Sequence, residues 1–207
     1  MARTGRPLAM PAEERKKEIY EAVEQLLGEH AYEKVTMAEI AAKAGMSKKT
    51  LYVYFADKNE LMESLVASSY VWPQKNLEDT SPDPVLALRT RIYGIAEHVL
   101  CEHHLRLCRL AIGERVGHAR IADMFYEMGI RGSRESLIQA VERIDRSRWN
   151  LNVKSLLLVE MIFGASIGYH LMDALLTGQL PDSKLIADAI DEVISSLFRT
   201  DIEPAAG

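Results

Sequence analysis

Only two residues of the chain are cysteine, and no secretory leader or apolar run of the ~18 residues needed to span a membrane can be found. A soluble, cytoplasmic protein with no membrane partner is therefore expected. Cys101 and Cys108 fall on one apparent helix, about two turns or ~10 Å apart along its axis, too far for an intrachain disulfide. Buried thiols are expected, with a redox sensor as the alternative reading. Strand-like alternation and internal repeats are missing as well, which leaves an all-α fold. There is no phosphate-cradling glycine loop and no general-base signature, so catalytic residues, cofactor and metal are all assigned as none. A basic surplus is lacking too, since the 207 residues carry a formal net charge of −5. That balance does not exclude a nucleic-acid partner, because binding depends on where charge lies. Residues 1–60 hold ten Lys/Arg and ten Asp/Glu, so the acidic excess, 15 against 20, belongs to the remainder.

What is present is concentrated between Val35 and Leu61, where VTMAEIAAKAGMSKKTLYVYFADKNEL spells three short helices, each with a start signal. Thr36 with Glu39 forms a capping box, and Met37, Ile40, Ala41 and Ala44 recur on one helical face. Gly45 closes that helix, leaving Met46 as an apolar plug in the turn. Ser47 caps a second helix whose opening turn, Lys48, Lys49 and Thr50, contains no carboxylate. The helix dipole disfavours such a start unless a phosphate or base edge lies near. Asp57 and Glu60 open a third helix, with Lys58 in its first turn. This is the grammar of a helix-turn-helix DNA reader. Ahead of it, Ile19, Val23, Leu26 and Leu27 make an apolar stripe on a first helix, and Arg3 and Arg6 lie on a Gly/Pro-containing arm suited to a narrow minor groove.

Thr36, the turn around Gly45 and Ser47, and above all TLYVYFADKNEL from Thr50 to Leu61 resemble the DNA-binding domain of TetR/AcrR-family transcriptional regulators. The motif match covers roughly residues 13–72; the remainder is similar in length and helical character. The resemblance implies that Thr36, Tyr54 and Lys58 approach phosphates, while Lys48, Lys49, Thr50 and Tyr52, after the Ser47 cap, enter the major groove. It implies a flexible basic arm (1–12), the DNA-binding domain (13–72, with its helix-turn-helix at 36–55), a linker (73–84), a ligand-binding and dimerisation domain (85–200) and a tail (201–207). The protein would be a bacterial repressor that binds an operator in double-stranded DNA as a homodimer and is released by a small effector. Activation rather than repression is the alternative within that class.

Beyond the reader, helices are expected at about 83–104, 105–116, 118–128, 131–146, 152–177 and 182–199, with breaks at Gly113, Gly117, Gly129, Gly178 and Pro181. On the fifth of these, Leu157, Met161, Gly164, Ala165, Gly168 and Met172 form a face that permits close approach. On the sixth, Leu185, Ile186, Ala189, Ile190, Val193 and Leu197 give a wide apolar stripe. The resemblance implies that these two helices pair with their copies in a four-helix dimer interface. For the effector, Tyr93, His98, Arg106, Tyr126, Trp149, Phe163 and His170 are the candidate lining residues. The stretch EHVLCEHH places His98 and Glu102 one turn apart, followed by His103 and His104, and the competing reading is a metal-dependent enzyme centred there.

Overall fold

The computed structural model describes residues 11–30, 32–76, 81–113 and 119–199, and for 71–76 and 119–121 the backbone alone. Arg3, Arg6, Gly117 and the 201–207 tail lie outside the described residues, as does the side chain of Trp72. The chain divides into two compact units, one ending at Leu65 and the other beginning at Val66.

In the first unit, α1 (Ala12–Glu29) buries Ile19, Ala22, Val23 and Leu26, the residues that recur on one helical face. A single turn at Tyr32–Lys34 leads to α2 (Met37–Lys43), which buries Met37, Ile40 and Ala41. It closes as the glycine suggests: Gly45 sits at φ 64°, its N–H donates to Ala42 O at 3.2 Å, and Met46 N–H donates to Ala41 O at 2.9 Å. This is the paired bond pattern of a left-handed helix stop. Helix α3 (Lys48–Tyr54) and the start of α4 (Lys58–Asn76) complete the unit. Helix α4 is one continuous element that passes Leu65 and runs four residues beyond the end expected at Trp72.

The second unit is also helical: α5 (Pro84–Val99), α6 (Glu102–Gly113), α7 (Ala119–Met124), α8 (Gly132–Glu142), α9 (Ser155–Phe163), α10 (Tyr169–Thr177) and α11 (Ser183–Leu197). Its core joins α5, α8, α9 and α11 through Leu88, Ile92, Ile95, Leu137, Val141, Leu158, Ile162, Ile186, Ile190 and Ile194. Asp83 caps α5 by accepting from Val85 N–H at 2.9 Å, and the same carboxylate receives Arg148 Nη1 at 2.6 Å. Trp149 and Phe198 meet edge to face, and Trp149 Nε1 donates to Ile144 O at 3.1 Å.

Several boundaries differ from those expected. The break between α5 and α6 falls at Leu100 and Cys101, without the glycine or proline that would mark it; Leu100 is held instead by burial in the core. Gly129 breaks nothing. It lies buried in a wide π-helical stretch, Phe125–Arg131, that joins α7 to α8 without leaving helical backbone angles. A Cβ at Gly129 would collide with the ring and hydroxyl of Tyr70, so the glycine serves a close approach. A second π stretch, Gly164–Gly168, joins α9 to α10.

The expected partner-facing stripe of α11 requires correction. Ile186, Ile190 and Leu197 are buried in the chain's own core and cannot be offered to a partner without opening it, whereas Leu185 is 57% exposed. Val193 is half-buried against that core. By contrast Leu157, Met161 and Met172 stand exposed with Gly164 and Ala165 between them, Gly168 is half-buried, and Leu176 continues the ridge. The combined helix Ser155–Thr177 is long and apolar enough, by length and composition, to cross a membrane, with a window of mean hydropathy 1.5. That corrects the expectation that no run reaches such a length. Being apolar on its core face and its outer face raises its hydropathy.

Ile190→Asp, 1% exposed in the native chain, should therefore unfold the second unit by desolvating a carboxylate, at a loss of about 4 kcal/mol or more. Leu185→Asp should leave denaturant stability within about 0.5 kcal/mol. Urea titration followed by circular dichroism separates the two, and equal losses would contradict the inward orientation of Ile190.

Candidate nucleic-acid interface

Helix α3 has seven residues, too few to persist alone, and two apolar side chains hold it down. Leu51 and Phe55, one turn apart, are buried, while Lys48, Lys49, Thr50, Tyr52 and Val53 are exposed. Ser47 Oγ accepts from Thr50 N–H at 3.1 Å and lies 2.8 Å from Thr50 Oγ1, so the cap also orients the threonine hydroxyl. Lys48 Nζ stands 5.7 Å from the centre of the Tyr52 ring, a cation–π distance that keeps the ammonium along the helix. Val53 is 78% exposed, an apolar side chain on a basic surface that was absent from the sequence-based selection. The signal was available in its place two residues after Leu51, off the buried i, i+4 stripe.

Thr36 makes the complete capping box. Its Oγ1 accepts from Glu39 N–H at 3.3 Å, and its own N–H and hydroxyl each donate to Glu39 Oε2 at 2.8 Å. Those bonds hold the Glu39 carboxyl below the ordinary carboxylate range. Tyr54 is half-buried. Lys58 satisfies its first-turn charge within the chain. Its Nζ donates to Tyr32 O at 2.7 Å and Val35 O at 3.0 Å, and lies 3.9 Å from the centre of the Tyr32 ring. The Tyr32 hydroxyl in turn donates to Asn59 Oδ1 at 2.7 Å. Two carbonyl dipoles thus supply the negative partner that the position demands. Asp57 accepts from Glu60 N–H at 2.9 Å, and Glu60 reaches back to Ala56 N–H at 2.5 Å.

Residues 19–65 match the family model described as bacterial regulatory proteins of the tetR family. Over those residues, about a quarter of the chain, it is similar to that family's DNA-binding segment. Solved structures share its fold across nearly the whole length. One assigned as a TetR-family transcriptional regulator, from Mesorhizobium loti MAFF303099, superposes with a TM-score of 0.70 at 21% identity, covering 91% of this chain and 96% of that one. The flavonoid-responsive regulator FrrA gives 0.67 at 21% identity, with 92% and 100% covered. NalD, the secondary repressor of the MexAB-OprM multidrug efflux pump in Pseudomonas aeruginosa, gives 0.65 at 19% identity, with 91% and 98% covered. No curated protein matches significantly. The described residues of this chain are helical and share the fold of those structures.

The candidate effector residues do not converge. Tyr93 donates to Asp191 Oδ1 at 2.7 Å, beside the Arg89–Asp191 ion pair, and Trp149 packs on Phe198. Tyr126 and Arg106 are exposed, the latter 3.9 Å from Glu102. Phe163 is partly buried against the core, and His170 stacks edge to face on exposed Tyr169. His98 alone enters an interior cluster, with Tyr70, His104 and Phe125. The i, i+4 relation of His98 to Glu102 is lost at the break between α5 and α6. Among the described residues no group of three or more His, Cys, Asp or Glu is placed to hold a metal. Cys101 and Cys108 are free, and burial pushes the Cys108 thiol up to about 12, away from thiolate reactivity.

Two outcomes follow from these contacts. Lys58→Met should lower the chain's stability by about 1.5–3 kcal/mol, because two charge-assisted bonds disappear and the Tyr32 and Val35 carbonyls lose a donor. An unchanged melting curve would show that those bonds contribute nothing. Burial, with the charge of His103 next, lowers His98 to about 4, and burial, then His98 and His103, lowers His104 to about 3. The unfolded chain therefore binds more protons below about 6.5, so stability is retained above that pH and lost as pH falls towards 4. The slope should reach up to about 1.4 kcal/mol per pH unit for each histidine, less for half-buried His98. His104→Phe should flatten it in urea titrations across that window.

Proposed function

We propose that the protein is a repressor that binds a palindromic operator as a homodimer in the bacterial cytoplasm and leaves it when a small, largely apolar effector binds the second unit. The observation that carries this reading is the outward face of α3, where Lys48, Lys49, Thr50 and Tyr52 project from a helix fixed by Leu51 and Phe55. Thr36, Ser47, Tyr54 and Lys58 then position the unit on phosphates, with Lys58 also bracing the fold. Arg3 and Arg6 are assigned to the minor groove. Val53 adds an apolar contact suited to a thymine methyl. Base contacts set sequence preference, and phosphate contacts set register and salt dependence.

The dimer is assigned to the exposed ridge of Leu157, Met161, Gly164, Ala165, Met172 and Leu176, joined by Leu185 on α11. Covering such a ridge is favourable at roughly 25 cal/mol per Å², and dimeric helix-turn-helix proteins read half-sites about one DNA turn apart. The neighbour described as flavonoid-responsive and the neighbour described as a repressor of a multidrug efflux pump support a small-molecule effector and a repressing role.

Footprinting upstream of the chain's own gene and its neighbours tests the reading. Lys49→Ala and Thr50→Ala should relax preference at particular base pairs, each by about 1–3 kcal/mol of discrimination. Leu176→Glu should give a monomer in sedimentation and weaken palindrome binding while the chain stays helical. Binding by the wild type that ignores both salt and DNA sequence would sink the proposal.

A further inference from the structure

The interior of the second unit contains an unusual wall. His98 from α5, His104 from α6, Tyr70 from α4 and Phe125 from the π stretch form one aromatic cluster. The two imidazole rings have centroids 4.6 Å apart, Tyr70 stands edge to face at 5.4 Å from His98 and 5.6 Å from His104, and Phe125 lies 5.4 Å from His104. His104 is 96% buried, since only 4% of its surface is exposed. Among the described residues, His98 Nε2 and His104 Nδ1 are buried without a hydrogen-bond partner. Each such atom forfeits a hydrogen bond it would make in water, and native folds keep few of them without a purpose.

We propose that His98 and His104 form the polar seat of the effector site, and that the effector they take carries a neutral aromatic hydroxyl, phenol-like in character. The assignment rests on the effector-responsive reading above and names its ligand class. A hydroxyl offers one proton and two lone pairs, whereas a neutral imidazole offers one N–H and one bare nitrogen. In every tautomer pair except the doubly bare one, a hydroxyl placed between the two nitrogens has the donor and lone pairs to satisfy both. The ring edges of Tyr70 and Phe125 favour a planar aromatic body beside them. The four rings themselves offer a carboxylate no cation among the described residues. The Arg109 guanidinium is engaged by Leu175 O at 3.1 Å and Ala174 O at 2.6 Å, and burial keeps both histidines uncharged near neutral pH. A cationic ligand finds no carboxylate among the four rings. Entry of a ligand requires these rings, which come from separate helices, to turn apart, since Tyr70 is already packed closely on Gly129.

The test uses the full-length protein without DNA and two probes of matched shape, β-naphthol and β-methylnaphthalene, followed by calorimetric or fluorescence titration. Wild type should prefer the naphthol by about tenfold or more, the worth of one or two buried hydrogen bonds. His98→Leu and His104→Leu should each erase most of that preference, with circular dichroism and thermal melting establishing that the variants are folded. His104→Gln, which retains a donor and an acceptor, should keep part of it. Equal binding of the two probes by the wild type, including binding of neither, overturns the proposal; a permanently seated water would produce that result. A preference that survives in both leucine variants overturns it as well. Loss of the operator reading would appear separately, as absent DNA binding in a gel-shift assay with the naphthol preference intact.

Discussion

Helices α2 and α3 have seven residues each, and a helix of that length does not persist on its own hydrogen bonds. Everything the first unit presents outward depends on bonds that fasten these two short pieces at their ends. The Thr36 box starts α2, the Gly45 stop ends it, Ser47 starts α3, and Leu51 with Phe55 holds α3 down. Lys58 supplies the remaining tie by drawing the carbonyls of Tyr32 and Val35 onto the first turn of α4, immediately ahead of Thr36. A cation at a helix N-terminus opposes the dipole. Here it is tolerated because the carbonyls on the facing turn point their negative ends at it, and because the Tyr32 ring lies beneath. The same residue that would meet a phosphate therefore also determines where the cap of α2 begins.

Features written in local residue type were readable from the chain alone. Capping boxes, a left-handed glycine and an i, i+4 apolar pair need only neighbours a few positions away, and Thr36, Gly45, Ser47, Leu51 and Phe55 all occupy the places their chemistry suggests. Features that depend on partners distant in sequence were not. Lys58 finds its acceptors more than twenty residues back, at Tyr32 and Val35. Gly129 looked like a helix break because glycine usually is one, yet it is retained for the ring of Tyr70, which arrives from α4. The α5–α6 boundary carries no punctuation, since Leu100 is placed by core packing.

Helix α11 shows why the outer face could not be assigned from periodicity. Leu185, Ile186, Ala189, Ile190, Val193 and Leu197 cover more than one side of a helix, and a stripe that wide has two edges. The core takes Ile186, Ile190, Ile194 and Leu197, leaving Leu185 outside. Hydropathy fails for the same reason along Ser155–Thr177, where only 28% of the most apolar window is buried. Such a helix is apolar towards its own core and again towards solvent. An exposed ridge with small residues at its centre, Gly164 and Ala165, suits close approach by another helix.

Helix α4 carries Lys58 in the first unit and Tyr70 in the second. Tyr70 bears on Gly129 within a π-helical stretch, whose wider ladder is less rigid than an α-helix and is common at functional positions. A ligand that turned the Tyr70 ring would act on a contact that only glycine permits, and it could shift the second unit between two arrangements by no more than its difference in affinity for them.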